Sequence, residues 1–393
     1  MANPKILSLQ GKGLKLDTKA DIEPYLKDVD PAVLEEIHFG GNTIGVDASL
    51  ALSEFLAKAQ ALKVANFSDI FTGRLISEIP LALQAICDAL IDKSSLVEIN
   101  LSDNAFGGRS VDPMVPFLTS NRSFQILRLN NNGLGPAGGQ VIANALRESA
   151  RLSKAEGKKS NLRVVICGRN RLENGSAEAW AEAFAEHGTL EEVRMVQNGI
   201  RMEGIAHLAR GLSKNPGIQH IDLQDNTFTV DGELTGIKAW TEALESWPEL
   251  HTLNLSDCVL SAEGENNNLE TQSFAVLSNA ISQGLKSLMA LELQWNDVEE
   301  DDEHLENLSL SLKQRGGKLF AADEEEEEEK EKEEEEKEAA EEIEKEAREM
   351  DKEAAKEAAK ELTAVPEEKA KEVPKPKDAT DDLADLLSKV ELR

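Results

Sequence analysis

One short phrase returns along most of this chain and limits the folds open to it. Its clearest copy runs from 127 to 134 as LRLNNNGL, in which apolar residues alternate before an asparagine, and a further apolar residue follows two positions later. The asparagine recurs at a spacing of 28 residues from Asn104 to Asn132, and again from Asn170 to Asn198 and to Asn226. This is the L-x-x-L-x-L-x-x-N-x-L pattern of a leucine-rich repeat.

Eight copies keep the full pattern, and two weaker copies begin at Leu7 and Leu62. The residues at the asparagine place of the eight are Asn42, Asn104, Asn132, Asn170, Asn198, Asn226, Cys258 and Asn296, and the copy that begins at Leu62 has Ile70 there. We expect each of these asparagines to bond backbone groups of the turn that leaves its strand, where no ladder partner exists. Their predicted role is therefore structural.

Between the copies, apolar residues change to helical spacing, as in Ile76, Ile79, Leu83, Ile86 and Leu90. Each repeat is thus predicted to be a short strand followed by a helix of ten or more residues. The predicted fold class is α/β: a leucine-rich-repeat horseshoe, a right-handed βα solenoid of about ten to eleven repeats with a parallel sheet inside and helices outside. Two insertions, 151–161 and 261–271, are predicted to be surface loops.

Composition divides the chain into three predicted parts. Residues 1–33 hold a degenerate copy and are expected to cap the solenoid, 34–320 form the repeat domain, and 321–393 form an acidic tail. The tail carries 30 Asp and Glu against 14 Lys and Arg, and it lacks an apolar face. It is predicted to be largely disordered or a solvated helix; a docking segment for a basic surface is the alternative.

Charge and residue usage exclude several classes of function. A net charge of −31 argues against nucleic acid and anionic membranes as partners. The cysteines Cys87, Cys167 and Cys258 lack C-x-x-C spacing, which predicts a reducing compartment with neither disulfides nor zinc. No signal peptide or membrane-spanning apolar run is visible, so a soluble intracellular protein is expected. Standard enzyme motifs are missing, and histidines such as His187 are predicted to be surface or satisfied residues.

The turns after the strands carry polar side chains that the scaffold does not need. They lie in the segments 68–74 (SDIFTGR), 101–107 (LSDNAFG), 131–136 (NNGLGP), 166–176 (ICGRNRLENGS), 196–200 (VQNGI) and 223–229 (LQDNTFT). Successive repeats place these turns along one rim of the solenoid. Asn131 precedes the structural Asn132, so its side chain is predicted to be free and to point outward.

Over residues 1 to about 320, these six segments in this order resemble the Ran GTPase-activating protein family, in its fungal form with an acidic tail. The resemblance implies a cytoplasmic protein that stimulates GTP hydrolysis by the small GTPase Ran for nucleocytoplasmic transport. It implies Ran in its GTP form as the partner, with Ran-binding proteins in a ternary complex. No cofactor or metal of its own is expected, because the nucleotide and Mg²⁺ belong to the GTPase.

The resemblance also assigns roles to single residues. By chemistry alone, Arg74, Arg169 and Arg171 are candidates for an arginine finger. The family instead uses an asparagine that positions the catalytic Gln of Ran, and this asparagine matches Asn131. The remaining candidates become GTPase-binding contacts: Asp69, Arg74, Asp103, Arg169, Arg171, Gln197 and Asp225. Arg74 is expected to reach acidic groups on the GTPase.

A second hypothesis needs no catalytic asparagine. The 320 residues before the tail carry a net charge of −15, which could favour a basic partner. The chain would then be a non-catalytic scaffold or inhibitor that binds this partner through an acidic inner face. Either hypothesis makes the chain a binding protein and not an enzyme with its own active site.

Overall fold

The computed structural model describes residues 4–230, 233–260, 270–296, 298 and 302–321. Its main feature is an 11-stranded sheet in which every pairing is parallel, and most strands pair with the strand of the next repeat. These strands are β1 (Ile6–Ser8), β3 (Glu36–His38), β5 (Val64–Asn66), β6 (Glu98–Asn100), β7 (Ile126–Arg128), β8 (Val164–Ile166), β9 (Glu192–Arg194), β10 (His220–Asp222), β11 (Thr252–Asn254), β12 (Ala290–Glu292) and β13 (Lys318–Phe320).

The strand register follows the apolar alternation. The middle residue of each strand pairs with the middle residue of the next, as Leu127 does with Ile99 and with Val165. From β1 to β12 these middle residues are buried, and Leu319 of β13 is half-buried. The residues on either side of them mostly lie half-exposed on the opposite face of the sheet, here called the open face. The period of two therefore places one apolar column in the core at every repeat.

Helices cover the face of the sheet that holds the buried middle residues, and they pack against one another in chain order. They are α1 (Lys19–Leu26), α2 (Val46–Leu56), α3 (Ile79–Leu90), α4 (Val115–Ser120), α5 (Gly135–Ala155), α6 (Glu173–His187), α7 (Met202–Leu212), α8 (Thr235–Leu244), α9 (Glu270–Gly284) and α10 (Glu303–Gln314). The predicted fold class, a leucine-rich-repeat solenoid with its sheet and helices on opposite sides, is confirmed. Within the described residues, no helix is both long and apolar enough to cross a membrane.

Several local predictions need correction. Helix α4 has six residues and not ten, because Pro113 and Pro116 confine the segment to a 3₁₀ turn and a short helix. Ile76 lies before α3 and is 65% exposed, so it does not belong to the helical stripe. The insertion 151–161 is helical as far as Ala155, because α5 continues through 21 residues. Most of the insertion 261–271 lies outside the described residues.

The two edges of the sheet differ. At the N-terminal edge, β1 pairs with β3, and a separate two-stranded sheet joins β2 (Lys15–Leu16) to β4 (Thr43–Ile44). At the C-terminal edge, β13 adds a strand that the repeat pattern did not predict, because no asparagine place follows it in the sequence. Residues Met1–Asp323 form one compact unit. The predicted tail lies outside the described residues beyond Ala321.

Candidate functional site

The turns at the carboxyl ends of the strands are held by a ladder of buried asparagines. Asn132 donates from Nδ2 to the carbonyl oxygens of Leu101 and Leu129, at 3.0 Å each. Its Oδ1 accepts from the backbone N–H of Asn104 at 2.9 Å, and its own N–H donates to Asn170 Oδ1. The other asparagines at this place make matching bonds, which confirms their structural role.

The ladder fixes the backbone of the residue just before each asparagine place. In every copy from β5 onward this residue is not glycine, and its φ is nevertheless positive, between 47° and 62°. The eight residues are Asp69, Asp103, Asn131, Arg169, Gln197, Asp225, Asp257 and Trp295. In this left-handed conformation the side chain leaves the turn instead of entering the core. We call this series the rim column. Six of its eight members are site residues predicted from the sequence.

Asn131 is exposed and has a φ of 53°. Its backbone N–H donates to the Gly168 carbonyl oxygen at 2.9 Å, which anchors the residue to the next repeat. The prediction that this side chain is free is wrong, because Nδ2 donates to Asp103 Oδ1 at 3.0 Å. Within the described residues, Asn131 Oδ1 has no hydrogen-bond partner. The site therefore offers a solvent-facing amide of fixed backbone position.

The other rim candidates vary in exposure. Asp103, Arg169 and Gln197 are exposed, whereas Asp69 and Asp225 are half-buried. Asp69 accepts from the Thr72 hydroxyl at 2.5 Å, a bond that holds its own turn. Arg171 lies outside the column, two residues after Arg169, yet it is also exposed and left-handed, with a φ of 54°.

The structure places Arg74 differently from the prediction. Its side chain is only 9% exposed, and Nη1 donates to Asp17 Oδ1 at 2.5 Å. Nε donates to the Thr43 hydroxyl at 2.8 Å, and Nη2 to the Thr43 carbonyl oxygen at 3.0 Å. The guanidinium holds the pKa of the Asp17 carboxyl below its usual value, with a smaller contribution from Lys15. Arg74 thus joins the residue that follows β2 to strand β4, and its contact with acidic groups of the GTPase stays a prediction.

Sequence reasoning missed two members of the rim column, Asp257 and Trp295. Trp295 is 57% exposed and has a φ of 57°, an unusual conformation for so large a side chain. The signal was present, since Asp257 precedes Cys258 and Trp295 precedes Asn296, both at the asparagine place. The rule that singled out Asn131 applies to these two residues as well.

The open face carries nearly balanced charge. Its strand residues include five carboxylates and three Arg or Lys side chains: Glu36, Glu98, Glu192, Asp222 and Glu292, with Arg128, Arg194 and Lys318. Two of the carboxylates are paired with arginine, Glu98 with Arg128 at 2.7 Å and Glu192 with Arg194 at 2.5 Å, and Glu36 Oε2 lies 3.0 Å from His38 Nε2. Burial raises the pKa of Asp222 and of Glu292 above the usual carboxyl values. The acidic inner face assumed by the scaffold hypothesis is therefore weak.

The described residues contain no group of three or more His, Cys, Asp or Glu side chains that could hold a metal. The three cysteines are buried, and burial raises the pKa of the Cys167 thiol to about 12. His187 is buried, with Nδ1 bonded to the Ser160 hydroxyl at 2.6 Å and Nε2 without a partner in the described structure. His187 is therefore not a surface residue, as one of the two predicted alternatives had it, and its hydrogen bond to Ser160 satisfies one of the two ring nitrogens.

Comparisons with known proteins agree with this architecture. A family model described as Leucine Rich repeat matches residues 120–143. Ran GTPase-activating protein 1 of Saccharomyces cerevisiae is 36% identical over 307 residues, which cover 76% of this chain and 72% of the yeast protein. Ran GTPase-activating protein 1 of Xenopus laevis is 48% identical over 198 residues, or 49% of this chain and 34% of that protein.

A third relative, Ran GTPase-activating protein 2 of Caenorhabditis elegans, is 43% identical over 202 residues, or 50% of this chain and 21% of that protein. The matched parts thus amount to about a third or less of the two animal proteins, but to most of the yeast one. The resemblance predicted from the six turn segments is confirmed. By its likeness to the yeast relative over most of both chains, this chain belongs to the family of Ran GTPase-activating proteins.

Proposed function

We propose that this chain stimulates GTP hydrolysis by the small GTPase Ran and that Asn131 is the residue that acts in the GTPase active site. The supporting observation is an exposed amide in a rigid, left-handed rim position, with Oδ1 unbonded within the described residues. The names of the relatives supply the substrate class. The chain provides no nucleotide or metal chemistry itself in this proposal, because GTP and Mg²⁺ are bound by Ran.

The chemistry asks little of the activator. In a small GTPase, a Gln of the GTPase orients the water that attacks the γ-phosphate. A mobile Gln spends most of its time in unproductive rotamers, so a fixed partner for its amide raises the productive fraction. An asparagine can bond that amide without adding charge to the pocket. The proposal therefore includes no arginine finger.

The neighbouring rim residues form the proposed docking surface. Asp69, Arg169, Arg171, Gln197 and Asp225 lie on turns that follow strands between β5 and β10. Strands of one sheet lie about 4.8 Å apart, so these turns span roughly 24 Å, a width suited to one face of a small GTPase. We propose the GTP form of Ran as the occupant, with Ran-binding proteins in a ternary complex, acting in the cytoplasm for nucleocytoplasmic transport.

A turnover assay separates this proposal from the scaffold hypothesis. GTP-loaded Ran is mixed with this protein at one hundredth of its concentration, and phosphate release is followed. Release of many phosphates per molecule of this protein is expected. Inhibition or mere sequestration that saturates at equimolar protein would favour the scaffold and contradict the proposal.

Asn131→Gly tests the residue assignment. Glycine is the appropriate deletion because it tolerates a φ of 53° without strain. The stimulated rate at saturating protein is expected to fall by roughly 10²–10³, the effect of losing one positioned hydrogen-bonding group. Asp257→Gly, at the equivalent place of another repeat, is the matched control and should retain the wild-type rate. An Asn131→Gly protein with an unchanged rate would refute the assignment.

A further inference from the structure

The two ends of the Asn131 amide are chemically opposite, since Oδ1 only accepts hydrogen bonds and Nδ2 only donates them. A rotation of 180° about the last side-chain bond exchanges the two with little change in shape. An exposed asparagine without neighbours would therefore present either end to a partner. The chemistry proposed above depends on which end faces the GTPase.

In this structure the orientation of the Asn131 amide is set by Asp103, one repeat earlier in the rim column. A carboxylate at neutral pH can only accept, so the atom facing Asp103 Oδ1 at 3.0 Å has to be Nδ2. Both backbones are fixed, because the Asp103 N–H donates to the Asn130 carbonyl oxygen and the Asn131 N–H to that of Gly168. Among the described rim-column residues, this is the one hydrogen bond that joins the side chains of two members.

We infer that Asp103 is a positioning residue that holds Asn131 with Oδ1 toward the bound GTPase, an inference that rests on the proposed function. The Gln amide of the GTPase then donates from its nitrogen to Asn131 Oδ1. Its carbonyl oxygen is left to accept a hydrogen from the attacking water, whose lone pair faces the γ-phosphate. With the asparagine flipped, Asn131 Nδ2 would donate to the Gln oxygen. The Gln N–H would then face the water, and no Gln oxygen would be left to accept the water's hydrogen.

This role differs from a direct contact between Asp103 and Ran, and kinetics can separate the two. Steady-state kcat and KM for hydrolysis of Ran-bound GTP are measured for wild type, Asp103→Gly, Asp103→Asn, Asn131→Gly and the Asp103→Gly/Asn131→Gly double variant. Glycine avoids strain at the Asp103 φ of 62°, and Asp257→Gly is the control for removing a rim carboxylate. Thermal unfolding of each variant reports any loss of structure.

A positioning role predicts that Asp103→Gly lowers kcat by about tenfold with KM nearly constant, the scale of a hydrogen bond to a charged group at an exposed site. Asp103→Asn keeps an acceptor and should recover kcat to within about threefold of wild type. In the Asn131→Gly background, Asp103→Gly should have no further effect on kcat, because its target is gone.

Two results would overturn the inference: a raised KM with unchanged kcat, which indicates a direct docking contact, or kcat losses that multiply in the double variant. Failure of the proposed function is distinct from either. In that case the wild-type protein would show no catalytic turnover, or the Asn131→Gly variant would have the wild-type kcat. The effect of Asp103→Gly on kcat and KM would still be measured separately.

Discussion

Asn131 and Asn132 are neighbours of identical chemistry with opposite surroundings. The side chain of Asn132 is fully buried and bonds backbone groups of two repeats, whereas that of Asn131 is exposed and bonds a single carboxylate. The difference arises from the backbone, because the ladder that captures Asn132 forces a φ of 53° at Asn131 and turns its side chain outward. A solenoid therefore supplies, at each repeat, one residue for stability and one residue available for function.

The largest expected effect on stability is that of Asn132→Ala. The change leaves the Asn104 N–H without its acceptor in the core and opens a small cavity. We expect the free energy of unfolding to fall by roughly 3 kcal/mol, measured by urea denaturation. Asn131→Gly is the control and should stay within about 0.5 kcal/mol of wild type. Equal losses for the two variants would remove the distinction drawn here.

Next in size is a pH effect at His187. Burial lowers the pKa of this histidine from 6.5 to about 4, so the unfolded chain binds its proton first as the pH falls. The contribution of neutral His187 to the free energy of unfolding is thus fully present above pH 6.5. It is lost between pH 6.5 and about 4, by an amount on the order of 2–3 kcal/mol. Unfolding curves for wild type and His187→Gln at pH 7 and 4.5 measure it. A decline of the same size in both proteins would exclude His187 as the cause.

A smaller effect is expected for Arg74→Ala. The change removes the guanidinium and with it two hydrogen bonds to Thr43. We expect the free energy of unfolding to fall by roughly 1–2 kcal/mol. The pair with Asp17 should add little, because that carboxylate is solvent-exposed. Arg171→Ala, which removes an exposed arginine, should leave stability unchanged. If Arg74→Ala left the unfolding curve intact but abolished binding to GTP-loaded Ran, the outward role predicted from the sequence would be restored.

These residues also show how far sequence reasoning extends. The period of the asparagines predicted the parallel sheet, and the position before Asn132 predicted the exposure of Asn131. Both follow from contacts at a fixed repeat distance. The partners of Arg74 are Asp17 and Thr43, which lie 57 and 31 residues away in irregular first repeats, so no period indicates them. Asp103 and Asn131 are different: they lie one 28-residue repeat apart, so the period places their backbones side by side. Their hydrogen bond depends in addition on side-chain direction, which the period does not give.

A structure of this protein bound to Ran with a GTP transition-state analogue tests the central claim most directly. The quantity to be measured is the distance from Asn131 Oδ1 to the side-chain nitrogen of the catalytic Gln. The account predicts a hydrogen bond of about 2.9 Å, with Asn131 Nδ2 still directed at Asp103. A Gln whose amide lies beyond hydrogen-bonding reach of Asn131, or bonded instead to Arg169 or Arg171, would contradict it.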